Sequence, residues 1–370
     1  MNKSLFLLVS LIYLNINAQS NEIKKANDFL FEYQNNKKVE DLNKALENAK
    51  LAMSNESNSN DAFSNYIYGL VLKTHYDANG QNDHETIINS YTSLKKSIDL
   101  GAKLSEKDKS QAFKLIKYIA FDFYNAGINL HNAKKSDQAL NMYKKLYELI
   151  DFMSLNKQTL AIDGQSELKK SDVNTNYVVF AVNSNKNDEA IKILKEDVQQ
   201  NPTESKYTNL VQLLKDNSEE RKKYLNEGLT KYPNNLDLII SDINISLAEK
   251  NNTNAKAKLQ KAIEINPKNH QFYLILGNLL ESEKDSENAK KNYTKAIEIN
   301  PSDFESNYNL AVIQFNEAIQ IYNKNTSNEK GSEIYMPYFK TAKSTLEKCK
   351  QLQPSNNDVD KLIQKINDIK

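Results

Sequence analysis

The sequence predicts an all-α fold, an α-solenoid of stacked antiparallel helix pairs. Three observations carry this reading. Pro233, Pro267 and Pro301 stand 34 residues apart, each closing a segment of similar pattern. Within those segments apolar residues recur at spacings of three and four, the period of one helix face. Ala255 and Ala262 precede Pro267 at the same offsets as Ala289 and Ala296 precede Pro301, as expected where small residues let helices pack on two sides. A period of this size marks repeats that bury their apolar faces only by stacking.

The elements follow in chain order. Residues 1–18 read as a secretory signal peptide: Lys3 supplies a positive start, Leu5 to Leu14 an apolar core, and Asn15 to Ala18 a polar stretch with alanine at the cut. The apolar core is too short to span a bilayer, and no later segment reaches the ~20 apolar residues a spanning helix needs. No cysteine lies at the cut, so no lipid anchor is expected there. Residues 19–170 form divergent helical repeats. Ile23 to Asn55 keeps Phe29, Ala45, Ala49 and Ala52. Ala62 to Gly101 has Tyr68-Gly69 and Leu72, with an insertion from Asp77 to His84. Lys103 to Ile119 fits no repeat and is expected to form an extra helix. Ala120 to Phe152 carries Phe123, Ala126-Gly127, Leu130, Ala139, Tyr143 and Leu146 but no closing proline. Met153 to Lys170 is expected to be a loop.

Residues 171–303 are the regular repeats. Ser171 to Thr203 carries Tyr177, Ala181, Ala190, Leu194 and Pro202; Glu204 to Asn235 is about two residues short; Leu236 to Asn269 and His270 to Asp303 are full length. Residues 304–356 form a last repeat, from Phe304 and Leu310-Ala311 to Ala342, Leu346, Cys349 and Pro354, with an insertion at 318–339. Within the insertion Asn325 to Gly331 reads as a flexible loop, and Pro337 suits a first helical turn. Residues 357–370 read as a capping helix.

The unit from His270 to Asp303, HQFYLILGNLLESEKDSENAKKNYTKAIEINPSD, closely resembles the tetratricopeptide repeat, a helix–turn–helix of ~34 residues with a W-x2-L-G-x2-Y…A-x3-F…P pattern. Tyr273 takes the tryptophan place, Leu276-Gly277 the Leu-Gly pair and Leu280 the tyrosine place; Ala289, Tyr293, Ala296 and Pro301 complete the pattern. Gly277 is expected to let the two helices approach, and Tyr273 and Tyr293 to fill the wider gaps. Pro301 stops the helix and fixes where the next begins.

Composition and motifs exclude several functions. Net charge is +1, and Arg221 is the single arginine among 49 basic residues, so neither a basic stripe nor bidentate phosphate recognition is expected, and no nucleic-acid partner. The one cysteine, Cys349, forms no intramolecular disulfide and reads as a small buried apolar residue. His75, His84, His131 and His270 form no metal-ligand spacing, the eight glycines form no phosphate-binding loop, and Gly164-Gln165-Ser166 lacks the frame of a hydrolase elbow. No catalytic residue, metal or cofactor is expected.

What remains is surface. The resemblance implies a groove lined by the first helices, where an extended peptide or partner helix binds. The residue before the Leu of the Leu-Gly pair faces that groove, and it is Asn125, Asn176, Asn209 and Asn309 in four units. A carboxamide donates and accepts, so it holds a peptide backbone without reading its side chains. In chaperone-binding members an asparagine here works within a lysine-rich clamp, but the clamp's basic partners do not recur. Phe121, Tyr124 and Tyr308 are aromatic candidates on the same helices. Tyr335 and Tyr338, in the Tyr335 to Phe339 run, are candidates for a partner contact in the insertion; its other reading is a longer helix pair whose extra turns pack on each other. The expected partners are other proteins or peptides. The expected role is an exported, non-enzymatic scaffold of the cell envelope, as in envelope-located tetratricopeptide proteins of Gram-negative bacteria; the alternatives are a periplasmic peptide- or cargo-binding chaperone and an accessory subunit of an enzyme or secretion complex.

Overall fold

A computed structural model describes residues 20–101, 104–161, 166–215, 218–325 and 330–369. The signal-peptide segment 1–18 lies outside them. The described residues form helices, turns and loops without strands, and the chain divides into two compact units between Asn201 and Pro202.

The first unit holds four antiparallel pairs: α1 (Asn21–Asn36) with α2 (Val39–Met53); α4 (Ala62–Ala78) with α5 (His84–Asp99), after the single turn α3 (Glu56–Ser59); α6 (Glu106–Asn132) with α7 (Ser136–Leu155); and α8 (Lys170–Asn183) with α9 (Asn187–Gln200). The second unit holds α10 (Glu204–Leu213) with α11 (Ser218–Lys231), α12 (Leu236–Ala248) with α13 (Asn252–Ile265), α14 (His270–Ser282) with α15 (Ser286–Ile299), α16 (Phe304–Asn325) with α17 (Gly331–Leu352), and the closing helix α18 (Asn357–Asn367). Within each unit, successive pairs in the sequence are neighbours in space.

The small-residue positions of the second helices are the buried seams. Ala45, Ala139, Ala190, Ala255, Ala289 and Ala342 are fully buried, as are Ala262, Ala296 and Cys349. Burial in apolar surroundings pushes the Cys349 thiol up to about 11, so it packs as an alanine-like residue, inert as a nucleophile.

Asparagine and aspartate do much of the helix starting. Asp61, Asp83, Asn235, Asn251, Asn269, Asp285 and Asn356 each cap a helix, the side-chain oxygen accepting from a backbone N–H of its first turn. Such a cap stabilises a helix by about 1 kcal/mol relative to alanine. The turns inside the pairs share a second device. Lys134, Asn185, Lys250 and Lys284 take left-handed φ values of 56–66°. The residue after each donates its N–H to a carbonyl five positions back: Lys135 to Leu130, Lys186 to Ala181, Asn251 to Ser246 and Asp285 to Leu280, at 2.8–2.9 Å. This is the Schellman closure, which favours glycine at the left-handed position. Here lysine or asparagine occupies it, so the turns carry no glycine signal in the sequence.

Two expectations change. Lys103 to Ile119 is not a separate helix. From Glu106 it is the first half of α6, which runs 27 residues without a break. Its inner face, Ala112, Leu115, Ile116 and Ile119, is buried in phase with Ala120 and Phe123, so nothing separates the halves. Pro337 is not in the first turn of its helix but is the seventh residue of α17, because the helix starts at Gly331; its neighbours Met336 and Tyr338 are exposed. The insertion, in its described residues, is the longer helix pair of one sequence reading, and 326–329 of the expected Asn325 to Gly331 loop lie outside the described residues. α16 and α17 have 22 residues each, against 13 and 14 in α14 and α15. The extra turns pack on each other through Tyr322, Tyr335 and Phe339, with ring centroids 4.9 Å apart for Tyr322–Tyr335 and 6.3 Å for Tyr322–Phe339.

Candidate functional site

The four recurring asparagines divide into two kinds, tied and exposed. In α7, Tyr143 lays its ring over Gly127 of α6. A Cβ at Gly127 would stand 2.4 Å from Tyr143 Cε2, so only glycine leaves the slot open. The Tyr143 hydroxyl then reaches the next first helix, where Asn176 Nδ2 donates to it at 3.0 Å. The same geometry recurs in the second unit. A Cβ at Gly277 would stand 2.5 Å from Tyr293 Cε1. The Tyr293 hydroxyl lies 2.8 Å from both Asn278 Oδ1 and Glu281 Oε2, and Asn309 Nδ2 donates to Asn278 Oδ1 at 2.9 Å. Burial holds both tyrosine hydroxyls above their ordinary range, so they stay protonated. Asn176 and Asn309 therefore work as ties between repeats. In α4 and α5 the place of the tyrosine is taken by Leu94, against Gly69. Leucine has no hydroxyl, and Asn125 on the next first helix is left exposed, as is Asn209 in α10.

Asn125 opens onto a polar pocket. Asp122, Asn125 and Asn129 lie at i, i+3 and i+7 of α6, one stripe of the helix. Facing them are Tyr76 near the end of α4 and Gln81, Asn82 and His84 from the turn into α5. That turn is the insertion expected from Asp77 to His84. Its backbone is set by Gln81 at φ 60° and Gly80 at φ 76°. Beside the pocket a buried lysine holds two carboxylates. Lys73 donates to both carboxylate oxygens of Asp77, at 2.5 and 2.6 Å, and stands 3.3 Å from Asp122 Oδ2. The Lys73 side chain is 7% exposed and that of Asp122 13%. Desolvation raises Asp122 to about 6, against the pull of Lys73. Burial lowers His84, so it is neutral near pH 7.

Asp122 sets a pH dependence. Its folded pKa lies above the ordinary range of an aspartate, so its contribution is most favourable below about pH 4 and is lost as pH rises through about 6. The difference corresponds to roughly 2–3 kcal/mol. Urea unfolding followed by circular dichroism is expected to show Asp122→Asn gaining on the native protein by that amount between about pH 4 and pH 7. A constant difference across that range would mean Asp122 is ionised in the fold throughout.

Comparison with known proteins bears on the unit that carries Gly277 and Tyr293. Residues 270–303 match the tetratricopeptide repeat. No curated protein matches the chain. Among solved structures, the C-terminal part of a TPR repeat-containing protein from Cytophaga hutchinsonii is similar at 13% identity and a TM-score of 0.47, over 80% of this chain and 99% of that one. Pseudomonas aeruginosa PilF is similar at 16% identity and 0.40, over 69% and 99%. MamA from Desulfovibrio magneticus RS-1 is similar at 16% identity and 0.40, over 51% and 98%.

Within the tetratricopeptide unit the apolar filling differs from expectation. Phe272 is buried and packs with Ile239, Ile243 and Leu259, whereas Tyr273 is half-buried and donates its hydroxyl to the Pro267 carbonyl at 3.2 Å. The remaining aromatic candidates scatter. Phe121 and Tyr124 are half-buried on α6, Tyr124 against the Tyr143 ring with centroids 5.9 Å apart. Tyr308 is stacked on Phe304 at 5.7 Å, beside the C-terminal core. Tyr335, expected at the surface, is buried at 6% exposure, because the helix places it one turn before Phe339 on the inner face. Tyr338 is 46% exposed. Of the nine candidates, Asn125 is the one that lines this pocket, with Phe121 and Tyr124 on the same helix. Sequence reading missed its partners: Asp122 and Asn129 share its helix face, but Gln81 and His84 join them only when α4 and α6 pack, and no local pattern marks that.

Proposed function

We propose that this protein is a non-enzymatic interaction scaffold of the cell envelope that holds an extended segment of a partner protein against the first helices of its repeats. The observation that carries it is the carboxamide-lined pocket at Asn125. Four carboxamides, of Gln81, Asn82, Asn125 and Asn129, converge on one opening, and such groups pair with a peptide backbone in both directions. The tetratricopeptide match at 270–303 supports a protein partner. Export is supported by the sequence features of residues 1–18, with Lys3 followed by the apolar run Leu5 to Leu14.

A photo-crosslinking amino acid placed at Asn125, in intact cells, is expected to capture a discrete partner band. The same amino acid at Lys291, on the exposed side of the second helix α15, is expected to capture none. Equal capture from both positions, or none from Asn125, would rule out this face as the partner surface. Finding the mature protein in the cytoplasmic fraction with Met1 intact would rule out the envelope.

A further inference from the structure

A second pocket, of about 440 Å³, lies between the first half of α6 and the loop that follows α7. It shares no lining residue with the pocket at Asn125. Every described residue that lines it falls within 103–119 or 153–170, the two stretches outside the repeat pattern. Stacking of repeats requires neither stretch, and insertions into a repeat array commonly lie on its binding face. The walls carry three lysines, Lys109, Lys114 and Lys117, and one carboxylate, Glu106. Lys109 pairs with that carboxylate at 2.8 Å. Lys114 and Lys117 have no ion pair or hydrogen bond among the described residues. They stand at i and i+3 of the helix, so their side chains are neighbours and repel. The other polar groups of the walls, the hydroxyls of Ser110 and Tyr118 and the carboxamide of Gln158, can each donate a hydrogen bond. Phe113 gives the pocket an apolar side and is stacked on Phe152, with ring centroids 6.3 Å apart.

We infer that this pocket holds an acidic segment of a partner protein, with a carboxylate between Lys114 and Lys117 and an apolar neighbour against Phe113. This second contact is separate from the Asn125 face and shares with it only a protein partner. An ionised carboxylate accepts hydrogen bonds and donates none, and here it meets two ammonium groups, two hydroxyls and a carboxamide. It also relieves the repulsion between the two lysines. A basic segment would face both lysines, with the one carboxylate of the walls already taken by Lys109. Nucleic acid matches the site less well, because its affinity grows with the number of phosphates neutralised, and two unpaired lysines neutralise few.

The test uses the full chain and short peptides carrying a zwitterionic rhodamine label, read by fluorescence anisotropy. A peptide with two glutamates around a phenylalanine, flanked by glycine and serine, is compared with its glutamine and lysine counterparts and with a labelled oligothymidylate. The glutamate peptide is expected to bind at least about tenfold more tightly than the glutamine peptide. Lys114→Gln combined with Lys117→Gln is expected to remove that preference, since glutamine keeps the helix and loses the charge. If the double variant fails to fold, Lys114→Gln alone, at an exposed position, reports in its place and is expected to weaken the glutamate peptide alone. Lys291→Gln, on an exposed face of α15, is expected to leave the preference intact. An equal loss in Lys291→Gln, or no loss in the pocket variants, overturns this pocket as the site. Glutamine or lysine binding as tightly as glutamate overturns the carboxylate. Oligothymidylate binding more tightly than the glutamate peptide overturns the protein segment in favour of a nucleic acid. Binding of none of the probes overturns this inference and leaves the Asn125 face to its own crosslinking test.

Discussion

Phe339→Ala is expected to cost the second unit about 3–5 kcal/mol, the range for removing a buried aromatic ring from a packed core. Phe339 is fully buried, with Phe315, Tyr322 and Tyr335 around it at centroid distances of 6.2–6.3 Å. These are the rings that hold the lengthened part of α16 to α17. Stacked repeats lose stability locally, as a sum of repeat and interface contributions. The loss should therefore appear as faster amide hydrogen exchange concentrated in α16, α17 and α18. Tyr338→Ala, one residue away and 46% exposed, is expected to change stability by less than about 0.5 kcal/mol. Similar exchange rates in the two variants would show that the insertion does not depend on this aromatic core. The contrast also separates the two readings of the insertion. Its bulk, Tyr335 and Phe339, is spent on intramolecular packing, and the surface it leaves is Ile334, Met336 and Tyr338.

Tyr143→Ala is expected to have an effect of similar size, about 3–5 kcal/mol, in the first unit. The ring fills the slot over Gly127, meets Phe180 edge-on at 4.7 Å and lies beside Tyr124 at 5.9 Å. It thereby joins three successive helices, α6, α7 and α8. Tyr143→Phe keeps the ring and removes the hydroxyl that accepts from Asn176, so it is expected to cost only about 1 kcal/mol. A double-mutant cycle of Tyr143→Phe with Asn176→Ala measures the tie directly, and a coupling of about 0.5 kcal/mol or more is expected. Strict additivity would mean that Asn176 is not held by the tyrosine and is available to a ligand.

That cycle addresses a point the sequence left open. Asn125, Asn176, Asn209 and Asn309 hold the same place in their helices, and a single chain gives no means of separating them. What separates them lies on other helices: Asn176 is tied to Tyr143 and Asn309 to Asn278, while Asn125 is exposed. In the tetratricopeptide unit Gly277 and Tyr293 are 16 residues apart and part of the recognised pattern. Their direct contact, with the ring in the space a Cβ would need, is a property of the packed pair.

The sequence by itself determined the all-helical fold and the tetratricopeptide unit at 270–303. Those depend on interactions within about one turn or one pair: the three-and-four spacing, the small residues at Ala255, Ala262, Ala289 and Ala296, and prolines such as Pro301 that cannot continue a helix. Where a break depended on longer-range packing the sequence was silent. Nothing local distinguishes a separate helix at 103–119 from the first half of α6, because both present the same periodicity. The Schellman turns at Lys134, Lys250 and Lys284 carry no glycine to mark them. Only the tertiary structure decided which polar residues are free. It buried Tyr335, tied Asn176 and Asn309, and brought Asp122, Asn125 and Asn129 against Tyr76 and His84 beside a buried lysine. A charge or a carboxamide acquires its role from what faces it across a helix interface, and that partner lies some forty residues or more away in the chain for Asp122 and Lys73.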